Sequence, residues 1–235
     1  MKNILITGAS SGIGETTAKY LGNQGYRLML VARNKEKLEM LCAELNPCAN
    51  FFQYDLSDLD NIETIFQYCK DQEFLLDGLV HCAGIAGNFP VRSLDWHFVS
   101  NMMNVNCTSF VEMAKFATSR QYANKNASIV ALSSLASVTC YPGTAAYSMS
   151  KDSLNVFCKV LAKEVVRRGI RVNTIMPGYV RTPMMAGMDD ATVEEQQPLG
   201  YIEPVEVACL IEYLLSDKSR CITGTAIPIS AGMNF

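Results

Sequence analysis

Short runs of aliphatic and β-branched residues alternate along this chain with stretches whose apolar residues recur at helical spacing. Seven such runs are present, at residues 3–7, 26–32, 50–54, 78–82, 128–133, 170–176 and 225–229. A regular strand–helix alternation is typical of a parallel sheet covered by helices, and nearly continuous apolar strands are expected where both sheet faces are buried. We therefore predict an α/β chain: one doubly wound Rossmann domain over residues 1–235, with a seven-stranded parallel sheet and helices on both faces.

The stretches between these runs carry the stripes of amphipathic helices. The stripes are Leu38, Leu41, Cys42 and Leu45; Ile62, Ile65, Phe66 and Cys69; and Leu154, Cys158, Leu161 and Val165. Ser57 and Asp60 resemble a capping box before the second stripe. Pro204 is placed to be the first residue of a helix that ends near Leu215, and a long apolar helix is predicted over 96–119.

Charge and cysteine usage exclude several classes of protein. The net charge of −3 gives no reason to expect nucleic acid or an anionic membrane as a partner, and no apolar run is long enough to span a bilayer. The nine cysteines include no C-x-x-C pair, and the chain has only two histidines. We therefore expect no metal site, free thiols, and a protein of the reducing cytoplasm.

A glycine-rich segment follows the first predicted strand directly. It reads Thr7-Gly-Ala-Ser-Ser-Gly-Ile-Gly14 and leads into a predicted helix. The unpaired N–H groups and the positive dipole end of a helix N-terminus suit a pyrophosphate. The spacing is G-x-x-x-G-x-G rather than the usual G-x-G-x-x-G, so a plain strand-to-helix turn is the alternative.

Five segments together resemble the short-chain dehydrogenase/reductase family. Residues 7–14 resemble its T-G-x-x-x-G-x-G motif; His81-Cys-Ala-Gly84 is similar to N-N-A-G; Tyr147-Ser-Met-Ser-Lys151 matches Y-x-x-x-K; residues 171–178 resemble the segment whose Pro-Gly borders the nicotinamide; and Ile222-Thr-Gly-Thr resembles the lead-in to the last strand. The resemblance runs nearly end to end. It implies a Rossmann sheet that binds a nicotinamide dinucleotide, in a homotetramer or homodimer.

The residue after the second strand bears on which dinucleotide is bound. NAD enzymes place a carboxylate there for the ribose 2′-hydroxyl, whereas this chain has Arg33, whose guanidinium suits a 2′-phosphate. Lys35 and Lys37 add positive charge. We predict NADP(H) in preference to NAD(H); an exposed arginine that serves solubility is the alternative. Asp55 resembles the family's adenine contact and is equally well placed as a turn aspartate.

The resemblance assigns the catalytic core to Ser134, Tyr147, Lys151 and Asn106. Tyr147 and Lys151 are four residues apart and share a helix face, where an ammonium is expected to lower the phenol pKa for acid–base work. Ser134 would hold the substrate oxygen, although the residues alone do not decide between it and Ser133. The family's asparagine fixes a water in the proton relay; Asn106 is the better match, with a packing role as its alternative.

The predicted cofactor contacts follow the same motifs. They are Gly8, Ser10, Ser11, Gly12, Ile13, Gly14, Arg33, Asp55, Leu56, Cys82, Ala83, Gly84, Tyr147, Lys151, Pro177, Gly178, Val180 and Thr182. Residues 183–198 are expected to form a lid, and its Met184, Met185 and Met188 either line the substrate side or pack a short helix. The chain departs from the family at Cys82, at Tyr201 and at His81, which is expected to be a packing histidine.

These assignments predict an enzyme that moves hydride between NADPH and a carbonyl or secondary alcohol. A 3-oxoacyl thioester on an acyl carrier protein is one candidate substrate, with a docking patch at Arg167, Arg168 and Arg171 that is otherwise a solvated edge. A sugar, steroid or xenobiotic carbonyl is another. The rival from a different class is a non-catalytic dinucleotide sensor or scaffold. Such proteins tend to lose the tyrosine or lysine, and this chain keeps both.

Overall fold

The predicted sheet is present in the computed structural model, which describes residues 1–234. Its strands are β1 (Asn3–Thr7), β2 (Arg27–Ala32), β3 (Ala49–Gln53), β4 (Leu76–His81), β5 (Ala123–Leu132), β6 (Arg171–Pro177) and β7 (Ala226–Ile229). They pair in the order β3-β2-β1-β4-β5-β6-β7, and every pair is parallel. The strand order reverses between β1 and β4, and ligands of such sheets bind at the carboxyl ends of the strands near this reversal.

Helices connect the strands and cover both faces of the sheet. They are α1 (Gly12–Asn23), α2 (Lys35–Glu44), α3 (Glu63–Asp71), α4 (Trp96–Met103), α5 (Ser109–Ala117), α6 (Ala136–Thr139), α7 (Ala145–Val165), α8 (Asp190–Gln196) and α9 (Pro204–Leu215). A π-helical turn, Asn104–Thr108, joins α4 to α5. Pro204 is the first residue of α9, as predicted, and Glu203 with Glu206 forms its capping box.

Alternate residues of each central strand enter opposite hydrophobic cores, because successive side chains of a strand point to opposite faces. On one face Leu5 and Leu79 pack with residues of α3, α5 and α7, including Phe66 and Phe110. On the other face Ile4, Ile6 and Val80 pack with residues of α1, α2 and α9. The doubly wound α/β fold is thus confirmed.

Two local expectations are wrong. Ser57 caps no helix: its N–H and hydroxyl both donate to the Asp55 carboxylate, at 3.0 and 2.9 Å, and α3 begins only at Glu63. The helix expected over 96–119 is interrupted by the π turn and ends at Ala117. In that region Ser109 donates to the Val105 carbonyl, a side-chain bond that competes with the regular helical ladder.

Within residues 1–234, no helix combines the length and the hydrophobicity needed to cross a membrane.

Candidate active site

The glycine loop after β1 brings the backbone close to its neighbours at two places. Gly8 has φ +66°, and a Cβ there would lie 2.8 Å from the Ala83 nitrogen. A Cβ at Gly14 would overlap the Gly8 carbonyl. Ser11 precedes α1 without a side-chain capping bond, so its hydroxyl takes none of the N–H groups of the first turn. Ser10, Gly12 and Ile13 complete this turn, which has the shape and the donors to hold a pyrophosphate.

The end of β4 is tied to the end of β1. The Ala83 N–H donates to the Thr7 hydroxyl at 3.3 Å, and the Cys82 N–H donates to the Thr7 carbonyl at the same distance. The Thr7 hydroxyl also bonds His81 Nδ1 at 3.0 Å. Burial first, and then the Lys151 charge, lower the pKa of His81 to about 3, so its imidazole is neutral. His81 is therefore a buried packing residue, as expected.

Arg33 lies exposed directly after β2, at the carboxyl edge of the sheet. Its carbonyl accepts a hydrogen bond from Gln53 Nε2 at 3.0 Å, and the next residue, Asn34, caps α2 by accepting from the Lys37 N–H. Lys35 pairs with Glu39 at 3.5 Å. Among residues 1–234, Arg33 makes no ion pair, so its guanidinium is available to an anion.

Asp55 and Leu56 lie just beyond β3. One carboxylate oxygen of Asp55 holds the Ser57 turn described above, which matches the turn role that its position suggested. Leu56 is buried, 6% exposed, in the core beneath α3 and α5. The adenine contact predicted for Asp55 remains a prediction.

Ser134 and Ser133 have different environments. Ser133 is buried, and its hydroxyl donates to the Lys151 carbonyl at 2.9 Å. The Ser134 side chain instead lies beside the Tyr147 phenol and acts to lower its pKa. The geometry therefore brings Ser134, and not Ser133, to the tyrosine.

Lys151 is buried at 4% exposure in the middle of this group. Its Nζ donates to the Leu132 carbonyl at 2.7 Å and lies 5.8 Å from the centre of the Tyr147 ring. Burial lowers the lysine pKa to about 8. A Cβ at Gly84 would lie 3.1 Å from the same Nζ, so the loop after β4 passes directly over the ammonium.

The expected lowering of the Tyr147 pKa by Lys151 is wrong for this structure. Burial raises the pKa of Tyr147, and the only opposing effect comes from the Ser134 side chain. Loss of solvent disfavours the phenolate more than the Ser134 hydroxyl stabilises it. Tyr147 is therefore protonated near neutral pH, which is the form that donates a proton to a carbonyl oxygen.

Asn106 lies in the π turn between α4 and α5 and is fully buried. Its Oδ1 accepts from the Ile85 N–H at 2.7 Å, and its Nδ2 donates to the Ile85 carbonyl and to the Ser150 hydroxyl, both at 2.9 Å. The amide thus fastens the loop after β4 to α7 beside Lys151. Such π turns are frequent at functional sites. Asn104, the other candidate, is only partly buried.

The loop after β6 meets both the glycine loop and the serine. The Gly178 N–H donates to the Ile229 carbonyl at 2.9 Å, and Pro177 accepts from the Leu135 N–H, next to Ser134. Val180 forms a parallel bridge with Ile202. The Thr182 side chain lies 3.3 Å from the position of a Cβ on Gly12. The predicted nicotinamide contacts therefore lie between the glycine turn and the group formed by Ser134, Tyr147 and Lys151.

Residues 183–198 form a single turn, Pro183–Met185, followed by α8. Met184 and Met188 are 55% and 36% exposed, so they do not pack a helix, whereas Met185 is half-buried. Tyr201 is stacked 4.3 Å from the Arg181 guanidinium, and its hydroxyl donates to the Met188 carbonyl. The two methionines are thus exposed, and their role on the substrate side remains a prediction.

Sequence reasoning missed the partners that hold this group in place. The main-chain atoms of Leu132 and Ile85 can come from any residue type, so the sequence does not indicate them. Gln197 belongs to no motif, and the motif that contains Thr7 does not indicate the bonds of its hydroxyl to His81 and Ala83. Within residues 1–234 there is no cluster of three His, Cys, Asp or Glu residues that could hold a metal ion.

Comparison with known proteins gives consistent matches over the whole chain. A family model described as enoyl-(acyl carrier protein) reductase matches residues 8–234. The 3-oxoacyl-[acyl-carrier-protein] reductase FabG of Thermotoga maritima is 31% identical, over 99% of this chain and 97% of that protein.

Two solved structures share the fold at similar identity. A short-chain dehydrogenase/reductase from Brucella melitensis gives a TM-score of 0.93 at 26% identity, covering 100% of this chain and 97% of its own. A variant actinorhodin polyketide ketoreductase, determined with NADPH, gives 0.90 at 27% identity, covering 98% and 96%. These matches show that the chain belongs to the short-chain dehydrogenase/reductase family, whose members are nicotinamide-dependent oxidoreductases.

Proposed function

We propose that this protein is an NADP(H)-dependent oxidoreductase that reduces a carbonyl, or oxidises the matching secondary alcohol, with Tyr147 as its acid–base group. The observation that supports this most directly is the placement of Tyr147 and Ser134 beside a buried Lys151, between the glycine turn and the loop after β6. This group lies at the carboxyl edge of a doubly wound sheet, where such folds bind dinucleotides.

The residues of the site fit a dinucleotide. The turn at Gly8 and Gly14 has no room for side chains, and the first turn of α1 offers N–H groups to a pyrophosphate. When bound, a reduced nicotinamide supplies the hydride that adds to the carbonyl carbon. Tyr147 donates its proton to the carbonyl oxygen, and the Ser134 hydroxyl orients that oxygen. The Lys151 ammonium, held by the Leu132 carbonyl, lies 5.8 Å from the centre of the Tyr147 ring, and we propose that it balances the charge left after proton transfer even though burial governs the pKa of the resting phenol.

The cofactor preference rests on Arg33. Its exposed guanidinium follows β2, where a carboxylate would favour NAD(H), and a fork of N–H donors matches a 2′-phosphate. NADPH in the ketoreductase of the same fold agrees with this assignment.

The substrate class is proposed at the level of a ketone or secondary alcohol. FabG of T. maritima and the polyketide ketoreductase both suggest a 3-oxoacyl thioester. For such a substrate, a carrier protein needs a basic surface. Arg171 does not belong to one, because it is buried and donates to Ser219 and Ser216. Arg168 is also engaged, with the carbonyls of Thr118 and Ala123.

A basic pocket of about 590 Å³ is nevertheless lined by Arg167 together with Arg120 and Lys125. It lies at the amino end of β5, the opposite edge of the sheet from Tyr147 in the same subunit. The double variant Lys125→Glu, Arg167→Glu tests a carrier role. If the pocket serves a carrier protein, activity falls with a carrier-linked thioester and is unchanged with the same acyl group on a small thiol.

We further propose a homodimer or homotetramer in the cytoplasm. Met149, Val156 and Val160 form an apolar stripe on α7 and are 54%, 55% and 50% exposed, which a second copy of the chain would cover. All nine cysteines are free, as expected in a reducing compartment. Sedimentation at micromolar concentration tests the assembly; a monomer contradicts it.

The enzymatic assignment is tested by following NADPH absorbance with a panel of ketones and 3-oxoacyl thioesters. We expect turnover with at least one ketone class and a kcat/KM at least tenfold higher for NADPH than for NADH. Arg33→Ala should reduce this ratio, and Lys70→Ala, an exposed lysine in the last turn of α3, is the control. Tight NADPH binding without turnover of any substrate would favour the sensor instead.

A further inference from the structure

Gln197 is a buried polar residue that the acid–base chemistry does not use. It follows α8 and has no exposed surface, although glutamine is rarely buried completely. A fully buried amide is stable only when its donors and acceptor are paired. Its partners therefore show what it holds in place.

The side chain of Gln197 hydrogen bonds to both polar groups of the Tyr179 backbone. Its Oε1 accepts from the Tyr179 N–H at 2.9 Å, and its Nε2 donates to the Tyr179 carbonyl at 3.0 Å. The same Nε2 donates to the Gly200 carbonyl at 2.6 Å. Both polar groups of Tyr179's main chain are thus bonded to a single side chain, as they would be to a neighbouring strand.

Tyr179 lies in the loop after β6, which faces the proposed cofactor site. Gly178, its neighbour, leaves just enough room for Gln197, since a Cβ there would overlap Oε1. Thr182, three residues after Tyr179, packs against Gly12 of the glycine turn. The same Cβ on Gly178 would lie 3.5 Å from the side chain of Leu135, which follows Ser134. A reduced nicotinamide that serves a carbonyl at Tyr147 must lie in this space, so the loop forms one of its walls.

Resting on the function proposed above, we propose that Gln197 is a positioning residue. By hydrogen bonding to the backbone of Tyr179, which we call the clamp, it fixes the loop that determines the position of the nicotinamide end of the cofactor. It acts through the loop and does not touch the reacting atoms. Because Gln197 also terminates α8, the clamp fixes the end of the lid to the same loop.

The test compares two ligands that share the adenine half. NADP⁺ carries the nicotinamide, whereas 2′,5′-ADP has the 2′-phosphate and adenosine without it. Gln197→Met keeps the volume of the side chain and removes all three hydrogen bonds. We expect its Kd for NADP⁺ to rise at least tenfold by calorimetry, while its Kd for 2′,5′-ADP stays within about twofold of wild type. In turnover, KM for NADPH rises and kcat at saturating cofactor changes less.

Gln196→Met is the matched control, since Gln196 is the preceding residue and is exposed, and its side chain accepts from the Tyr179 hydroxyl rather than from the main chain. We expect both of its Kd values to match wild type. If Gln197→Met loses affinity for both ligands equally, or loses affinity for neither, the positioning role is overturned. Wild-type protein that binds neither ligand overturns the proposed function itself.

Gln197→Glu provides a second variant if the methionine variant does not fold. The glutamate keeps an acceptor for the Tyr179 N–H, and it regains a donor for the carbonyls only when it is protonated. The Kd for NADP⁺ divided by the Kd for 2′,5′-ADP should therefore be higher than the wild-type ratio near pH 8. Near pH 5 it should approach the ratio of wild type measured at the same pH. A ratio in this variant that does not change with pH counts against the clamp.

Discussion

Lys151 is predicted to destabilise the folded protein in which it works. The residue is 4% exposed, and burial lowers its pKa from 10.5 to about 8. A difference of that size corresponds to about 3 kcal/mol at neutral pH, since each pKa unit is worth about 1.4 kcal/mol. The unfolded chain binds the proton more tightly, so the cost is present in full below pH 8 and disappears as pH rises toward 10.5.

Lys151→Met removes the buried charge and keeps most of the volume. It also leaves the Leu132 carbonyl without its 2.7 Å donor, which costs about 1–3 kcal/mol. At pH 7 the two effects nearly offset each other, and the variant should be as stable as wild type or up to about 2 kcal/mol more stable. The pH dependence of the stability difference between the two proteins is the stricter test, because only the cost of burying the Lys151 charge changes with pH.

Urea unfolding of both proteins at pH 7 and about pH 9.5 measures this difference. Between these two pH values, the free energy of unfolding of wild type should rise by about 2 kcal/mol relative to that of Lys151→Met. The reason is that Lys151 is already neutral in the folded state at the higher pH. Lys159→Met, an exposed position on the same helix, is the control and should show no such gain. A gap between wild type and Lys151→Met that stays constant with pH would refute the buried-charge argument.

Three further outcomes follow from the same geometry. The kcat/KM for carbonyl reduction should be level below about pH 8 and fall above it as Lys151 loses its proton; a level profile up to pH 10 contradicts the role of the ammonium. Gly14→Ala should weaken NADPH binding at least tenfold in a fluorescence titration, because its Cβ overlaps the Gly8 carbonyl; wild-type affinity would show that the turn adapts. Asn106→Leu should lower stability in urea by about 1–3 kcal/mol, since the Ile85 main chain loses both of its side-chain partners; unchanged stability would mean that these bonds are replaced.

The strands and the helix faces follow from local pattern, and the sequence predicted them well. The run at residues 4–6 is apolar because β1 is covered on both sides, and Pro204 starts α9 because its missing N–H costs nothing there. The order of the motifs also indicated which residues would meet at the sheet edge.

Other features depend on contacts between distant segments. The π turn at Asn104–Thr108 is held partly through Asn106, whose partners lie at Ile85 and Ser150, so no local pattern indicates it. The Tyr147 pKa is governed by burial, which spacing to Lys151 does not reveal. Gln197 belongs to no motif, and only the fold places it beside Tyr179.

The proposed mechanism depends most directly on the Tyr147 phenol as the proton donor. Tyr147→Phe removes one oxygen from a half-buried ring, so NADPH should bind with a Kd within about threefold of wild type. Ketone reduction should fall at least a thousandfold in kcat, an amount within the range for loss of general acid catalysis together with loss of charge stabilisation. Turnover by this variant at a rate near that of wild type would contradict the proposed mechanism.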